Sequence, residues 1–407
     1  MTQAKGALMQ LLGQRETTFR TAPGSVDGWL LPFTKWNVGR DPGKVRDPSI
    51  NASPLPGKTG CGDATVQGTA ECILDLRSIG FWLSLALGVP TSSYKAVTKQ
   101  PTNVTGVTVH YAESAAGAGN GTLAFTFVGK TLTWTDNAGT PGTPVDVTAG
   151  GRFTIGAGVA SHGIVVEVAA AALPGANQTD SDIAVSSTLK AHVFPIDLND
   201  RPSALMELGH SDITKFYRSL GCKVNKLSFD IAAKEQNIAL DIIGGSETEE
   251  VSAWDATPTS YASARACGHG GFIGNGSSTA LGDITAGTFS LDNGMEGRKV
   301  VKQQEGFGLI RQGEVVASGT IEAVFDGASA YALARAGTST RMRIGSSAQS
   351  GSDVFSLYWD MPNVEFIEKV VPKEGKSGLF ASLDWMAHRD TAGNLPLVTL
   401  VNDVAAY

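Results

Sequence analysis

The chain writes one phrase twice. Gly68 to Asp75 reads GTAECILD, and Gly319 to Asp326 reads GTIEAVFD. Gly, Thr, Glu and Asp recur at identical spacing, with small or apolar residues between them. A repeat on the scale of a domain constrains the fold before any other feature does. Both phrases alternate as strands do. Val66, Gly68, Ala70, Cys72 and Leu74 share one face, and Gln67, Thr69, Glu71, Ile73 and Asp75 share the other. The second copy keeps phase, with Ala317, Gly319, Ile321, Ala323 and Phe325 opposite Ser318, Thr320, Glu322, Val324 and Asp326. The small apolar face belongs on a core. The other face carries carboxylates at matched places.

The surroundings repeat too. After Asp75 comes LRSIGFWLSLALG, ending at Gly88; after Asp326 comes GASAYALARAG, ending at Gly337. Each reads as a short helix stopped by Gly, with Ile79, Trp82, Leu83 and Ala86, then Tyr331, Leu333 and Ala334, turned to a sheet. Upstream of each phrase lies a long basic, Gly-rich loop, residues 37–62 and 293–308. Downstream, a hairpin with Lys234-Glu235 and Leu240-Asp241 is echoed by Lys373-Glu374 and Leu383-Asp384. Phrase, helix, Gly stop and hairpin in one order argue for duplication rather than chance.

The first copy is longer. Gly88 to Lys234 spans 146 positions, whereas Gly337 to Lys373 spans 36. The added stretch holds VTGVTVHYAES, GTLAFTFVGKTLTWTDNAG and HGIVVEVAAAALPG, short alternating strands between Gly, Asn and Pro turns. The expected plan is a first domain in two segments, 1–92 and 188–250, interrupted by a β-sandwich at 93–187, and a second copy at 251–407. A length of 407 residues and 42% hydrophobic content suit two or three domains with real cores. The fold class is mainly β: two tandem β-sandwich or barrel domains, each with one flanking helix, plus the small inserted sandwich.

Several function classes fall away. A formal net charge of -7 opposes a nucleic-acid binder, though not a surface that nucleic acid passes without sticking. No signal peptide or membrane span is expected, since the run Ile79 to Val89 is too short to cross a bilayer. The four cysteines form no CxxC and read as reduced thiols. Pro56-Gly57-Lys58-Thr59 resembles the end of a nucleotide-binding loop, but Ala52 stands where that motif needs Gly, and prolines surround it. Cys267 and His269 lack a second ligand pair. No catalytic, cofactor or metal residues are assigned, and no enzyme activity is expected.

The strand with V-x-G-T-x-E, the helix ending in Leu-Gly, the later FYRSLGCKVNKLSFDIAAKEQNIALDIIGG and the opening AKGALMQLLGQRETTF resemble the tail tube (major tail) proteins of long-tailed, non-contractile bacteriophages. The resemblance covers most of residues 4–245 and reaches the second half through the repeat. It implies a structural subunit in the virion tail, made in the host cytoplasm. Such proteins stack as rings around a channel that conducts genome DNA, and a two-domain chain implies a trimeric ring with pseudo-sixfold symmetry. The implied partners are its own copies, the tape measure protein and DNA in the lumen, and the terminator and tip proteins, with no membrane. The inserted domain is expected to decorate the outside. An alternative keeps the chain at the tail tip, as an adhesin-like binding protein with the insertion as its ligand module.

Two expectations about residues follow. Glu71, Asp75, Glu322 and Asp326 face the lumen, where carboxylates let DNA slide; the competing reading pairs Glu71 and Glu322 with Arg or Lys across a subunit contact. Arg40, Lys44, Arg46 and Lys58 of one loop, and Arg298, Lys299 and Lys302 of the other, stack ring on ring against acidic residues of the next.

Overall fold

The computed structural model describes residues 5–47, 49, 55, 57–60, 62–94, 97–99, 107–113, 122–128, 131–135, 144–146, 151–155, 162–168, 178–184, 189–196, 201–231, 235–266, 271–274, 284–301, 305–324, 329–350, 353–367, 380–389 and 396–407. Among these residues the protein is antiparallel β-structure with two α-helices, α1 (Ile79–Leu87) and α2 (Ser329–Ala336). It divides into two compact units. One comprises Met1–Pro90, Val193–Leu400 and Tyr407; the other comprises Thr91–His192 and Val401–Ala406. The second unit holds two four-stranded antiparallel sheets, with Phe127 and Leu132 fully buried.

Both copies of the repeat lie in the first unit and join in one sheet. Its path starts at Lys35–Trp36 and Gly39–Asp41, then crosses Thr65–Ile73, Asn237–Gly244 and Lys215–Ile231. It continues through Ile284–Asp292, Val316–Val324, Phe380–His388 and Asp353–Ile367. The junction between the copies is direct strand pairing, Lys226 opposite Asp292 through Ile231 opposite Gly287. Phe229 stacks on Phe289 there with ring centroids 4.9 Å apart, and Trp359 and Trp385 pack on Phe289 from the second copy. The two longest strands leave the sheet at their beginnings. Lys215–Ile231 pairs back onto Ala204–His210, and Asp353–Ile367 onto Thr340–Ser350, which folds each copy over its core.

The copies repeat in register. Thr69 lies opposite Asp241 and Ala70 opposite Leu240; Thr320 lies opposite Asp384 and Ile321 opposite Leu383. On the other edge Lys35 faces Glu71, and Ala286 faces Glu322. A constant offset of 251 positions, that from Gly68 to Gly319, carries one copy onto the other through this region. The offset also matches two turns. Gly43 (φ 58°) and Gly294 (φ 55°) both adopt the left-handed conformation that Gly accepts without strain. Each backbone N–H donates to an aspartate two residues back, Asp41 Oδ1 at 3.0 Å and Asp292 Oδ1 at 2.8 Å. Gly62 and Gly313 then pack against the carbonyls of these turn glycines, so both loops close at the same place. The second loop therefore runs past residue 308 and is a hairpin, Glu296–Lys299 paired with Phe307–Arg311.

The helices diverge. All nine residues of α1 are buried, with Ser84 Oγ satisfied by the Phe81 carbonyl at 2.7 Å. Strand Met9–Arg15 and the ring of Tyr407 lie so close that Gly13 and Gly80 leave no room for a side chain. In α2 only one side is enclosed: Ala330 and Ala334 are buried, Tyr331 and Leu333 half-buried, and Arg335 exposed. Gly88 and Gly337 end the two helices. Cys72 and Cys222 are buried free thiols; burial pushes the Cys72 thiol up to about 12 and Cys222 upward as well. Cys61 and Cys267 lie outside the described residues.

Candidate functional site

Two features on the first unit have functional geometry: the polar face of the joined sheet and a cluster of loops at one end of it. Strand alternation puts Val66, Ala70, Leu227, Phe229, Leu240, Phe289, Ile321, Leu383 and Trp385 on the buried face. The opposite face carries Thr69, Glu71, Ser228, Asp230, Asp241, Thr288, Ser290, Asp292, Ser318, Thr320, Glu322 and Asp384. Lys35 and Lys226 share this face. It is a continuous, hydroxyl-rich, predominantly acidic surface running through both copies.

The matched carboxylates differ in company. Glu71 Oε1 accepts a hydrogen bond from Lys35 Nζ at 2.9 Å, both side chains being about half exposed. Ala286 takes the place of Lys35 in the second copy, and exposed Glu322 has no ion pair among the described residues. The lysine that meets Glu71 thus comes from its own chain. Asp75 is not on this surface at all. It is 4% exposed and serves the interior. Its Oδ1 accepts the N–H groups of Arg77 (2.9 Å) and Ser78 (3.0 Å) at the entry to α1, and its Oδ2 accepts Ser263 Oγ (2.8 Å) and Ala264 N–H (2.6 Å). The strand ends at Ile73, so alternation no longer governs where Asp75 points. Asp326 lies outside the described residues.

The loops meet within one chain. Arg40 pairs with Glu305, across the two copies. Lys299 Nζ donates to the Asp63 carbonyl at 3.0 Å and lies 3.5 Å from its carboxylate, while Gly306 N–H donates to Asp63 Oδ1 at 3.2 Å. Arg298 pairs with Glu296 at 2.7 Å. Arg20 adds a brace, its guanidinium donating to the carbonyls of Phe307 (3.0 Å) and Glu305 (2.8 Å). Below the hairpin, Met295, Phe307 and Ile310 form a buried cluster with Phe19 and Ile243. Three of the seven basic residues expected to reach another ring therefore have acidic partners in their own chain. Lys44, Arg46 and Lys58 are exposed and have no ion pair among the described residues; Lys302 lies outside them.

Sequence reasoning missed Asp41, Asp292 and their turn glycines, although the pattern D-x-G stands at both places with the same offset as the phrase. It also missed the acids Asp63, Glu296 and Glu305, which become partners only once the loops are brought together.

A family model described as phage tail tube protein matches residues 6–194 and 163–387. The chain belongs to the phage tail tube protein family. Two overlapping matches along one chain accord with the duplicated tube domain that the strand register displays. A tail tube protein is a structural component of the virion tail that assembles with its own copies into a tube. No curated protein matches the chain. Among the described residues no helix is long and apolar enough to cross a membrane.

Proposed function

We propose that three copies of this tail tube protein close into a ring, that the rings stack, and that the polar sheet face lines the channel through which DNA passes. The observation that carries the reading is the junction between the copies. Lys226–Ile231 of the first copy pairs with Gly287–Asp292 of the second. The offset of 251 makes Asp41 the counterpart of Asp292, and strand pairing makes Ile367, opposite Asp384, the counterpart of Lys226, opposite Asp241, because Asp384 and Asp241 face the matched Thr320 and Thr69. Strands Lys35–Trp36 and Gly39–Asp41 pair with Thr65–Ile73 and, among the described residues, with no further strand. Repeating the junction between chains sets Asp41 of one protomer opposite Ile367 of the next. Six quasi-equivalent sheets in three chains then close without a free edge.

In that arrangement Glu71 and Glu322 each appear three times around the lumen, with Asp230, Asp241, Asp292 and Asp384 beside them. Negative charge facing phosphate keeps DNA from adhering. The segments 1–92 and 188–250 form the first tube domain, 251–407 the second, and 93–187 an outer decoration. The tape measure protein and DNA occupy the lumen in turn, and the terminator and tip proteins bind the ends. Lys44, Arg46 and Lys58 are the loop residues left to meet a neighbouring ring.

Oxidation of a D41C/I367C variant, with Cys61 and Cys267 changed to Ser, tests the closure. Covalent trimers on a denaturing gel are expected. Tubes of normal appearance that yield only monomers would reject this register, and discrete non-tubular particles would return the protein to the tail tip.

A further inference from the structure

We infer that the hairpin tip at Val300–Val301 is a plug and that a cavity at the opposite pole of the subunit is its socket in the next ring. The inference rests on the stacking of rings proposed above and names the surfaces that do it. Val301 is fully exposed and Val300 is 38% exposed, an apolar pair just past the end of strand Glu296–Lys299, and Leu309 on the partner strand is exposed as well. Water-exposed valines gain most from burial when they are held ready for it. This tip is held: Lys299 is tied to Asp63, Arg20 to the carbonyls of Glu305 and Phe307, and the Met295–Phe307–Ile310 cluster fixes the base.

The socket is a cavity of about 380 Å³ walled by Trp29, Leu31, Phe33, Ile73 and Tyr261. Strand Thr65–Ile73 fixes the polarity. It begins two residues after Asp63, where the hairpin is anchored, and ends at Ile73 in the cavity wall. Nine residues of strand put the two features roughly 27 Å apart along one direction. A head-to-tail stack brings such opposite poles together in every successive ring. Charge agrees with the pairing. Exposed Lys44, Arg46 and Lys58 lie in the loop that leaves this strand's first end; exposed Asp230 and Glu322 lie toward the second, where the bases Lys35 and Arg265 are already paired with Glu71 and Glu235. The occupant of the cavity is thus the hairpin tip of a second copy of this chain.

Full-length wild type, V301D and Y261D proteins test this by light scattering for rings and negative-stain microscopy for tubes. Both substitutions lie on exposed side chains, and unchanged circular dichroism melts would certify folding. Wild type should give tubes, and each variant rings with tube length reduced at least tenfold. A mixture of the two variants keeps one intact plug and one intact socket, so it should give ring doublets and nothing longer. V301C/Y261C, with Cys61→Ser and Cys267→Ser, should cross-link between rings. Wild-type-length tubes from V301D, or loss of rings together with tubes, would overturn the plug. Wild-type protein that forms neither rings nor tubes would instead overturn the tube reading itself.

Discussion

Gly68 and Gly319 occupy the same place in the two copies and are glycines for the same reason. A Cβ on Gly68 would fall against the carbonyl oxygen of Asn37, and a Cβ on Gly319 against that of Thr288. Asn37 and Thr288 are themselves counterparts under the offset that relates the glycines. The neighbouring backbone passes too close at this point to admit any side chain.

G68A and G319A should therefore each destabilise the protein by roughly 3 kcal/mol, the upper part of the range for overpacking, because backbone rather than a flexible side chain must move. Chemical denaturation of the two variants measures this. Similar losses are expected, and a loss below about 1 kcal/mol in either would contradict the close approach.

Asp75 was grouped by sequence with surface acids, and its geometry makes a different prediction. D75N puts an amide N–H₂ among four donors that now converge on a carboxylate. The cost should be about 3 kcal/mol, since hydrogen bonds to a buried charge are the strong kind. E322Q, at an exposed site, should stay within about 0.5 kcal/mol of wild type. The pair of melts separates an interior role from a surface one.

Arg40 and Glu305 join the two long loops at exposed positions, 38% and 64% accessible. Such a pair stabilises by less than about 1 kcal/mol. R40E should lower monomer stability by no more than that, and R40E/E305R should restore it. Because the pair bridges the two loops, tube yield should fall in R40E and recover in the double reversal. Equal tube yields in all three proteins would leave the pair without a role in assembly.

Buried His192 should make the second unit sensitive to acid. His192 is fully buried; its Nδ1 lies 2.7 Å from Ser92 Oγ and its Nε2 3.2 Å from Asn402 Oδ1. Burial lowers its pKa, and the Asn402 hydrogen bond only partly opposes that. Below the unfolded value of about 6.5 the unfolded chain binds the proton that the folded unit refuses, so stability falls as pH drops from there toward the lowered value. Above about 6.5 the effect vanishes. Melting of wild type and H192Q at pH 7.5 and pH 5 should show a smaller acid-induced decrease in H192Q. Equal decreases would remove His192 as the cause.

The duplicated frame was readable because Gly68, Thr69, Glu71 and their counterparts answer to local backbone demands that recur in each copy. The strand phase, helix stops and hairpin register all followed from that. What escaped were consequences of long-range packing. Helix periodicity marked one face of α1 for burial, but Met9–Arg15 and Tyr407 come from far along the chain to enclose the rest. The loops looked basic because Arg40 and Lys299 stand in Gly-rich sequence, whereas their acids, Glu305 and Asp63, lie in the opposite copy. Asp75 looked like a strand residue because its phrase continues two letters past the strand.

The same contrast between paired and unpaired acids gives the last prediction. Glu71 is already met by Lys35, whereas Glu322 is not met by any base among the described residues. Charge reversal at Glu322 should therefore change the channel more than reversal at Lys35. Tubes assembled from E322K gain a ring of three ammonium groups per ring of subunits under the proposed symmetry. These groups should hold single- or double-stranded DNA at low salt and release it as salt rises, since phosphate contacts weaken steeply with ionic strength. Filter binding with end-labelled DNA between 20 mM and roughly 300 mM salt gives the measurement. Wild-type and K35E tubes should retain none at any salt. Retention by wild type, or its absence in well-formed E322K tubes, would place Glu322 outside the lumen.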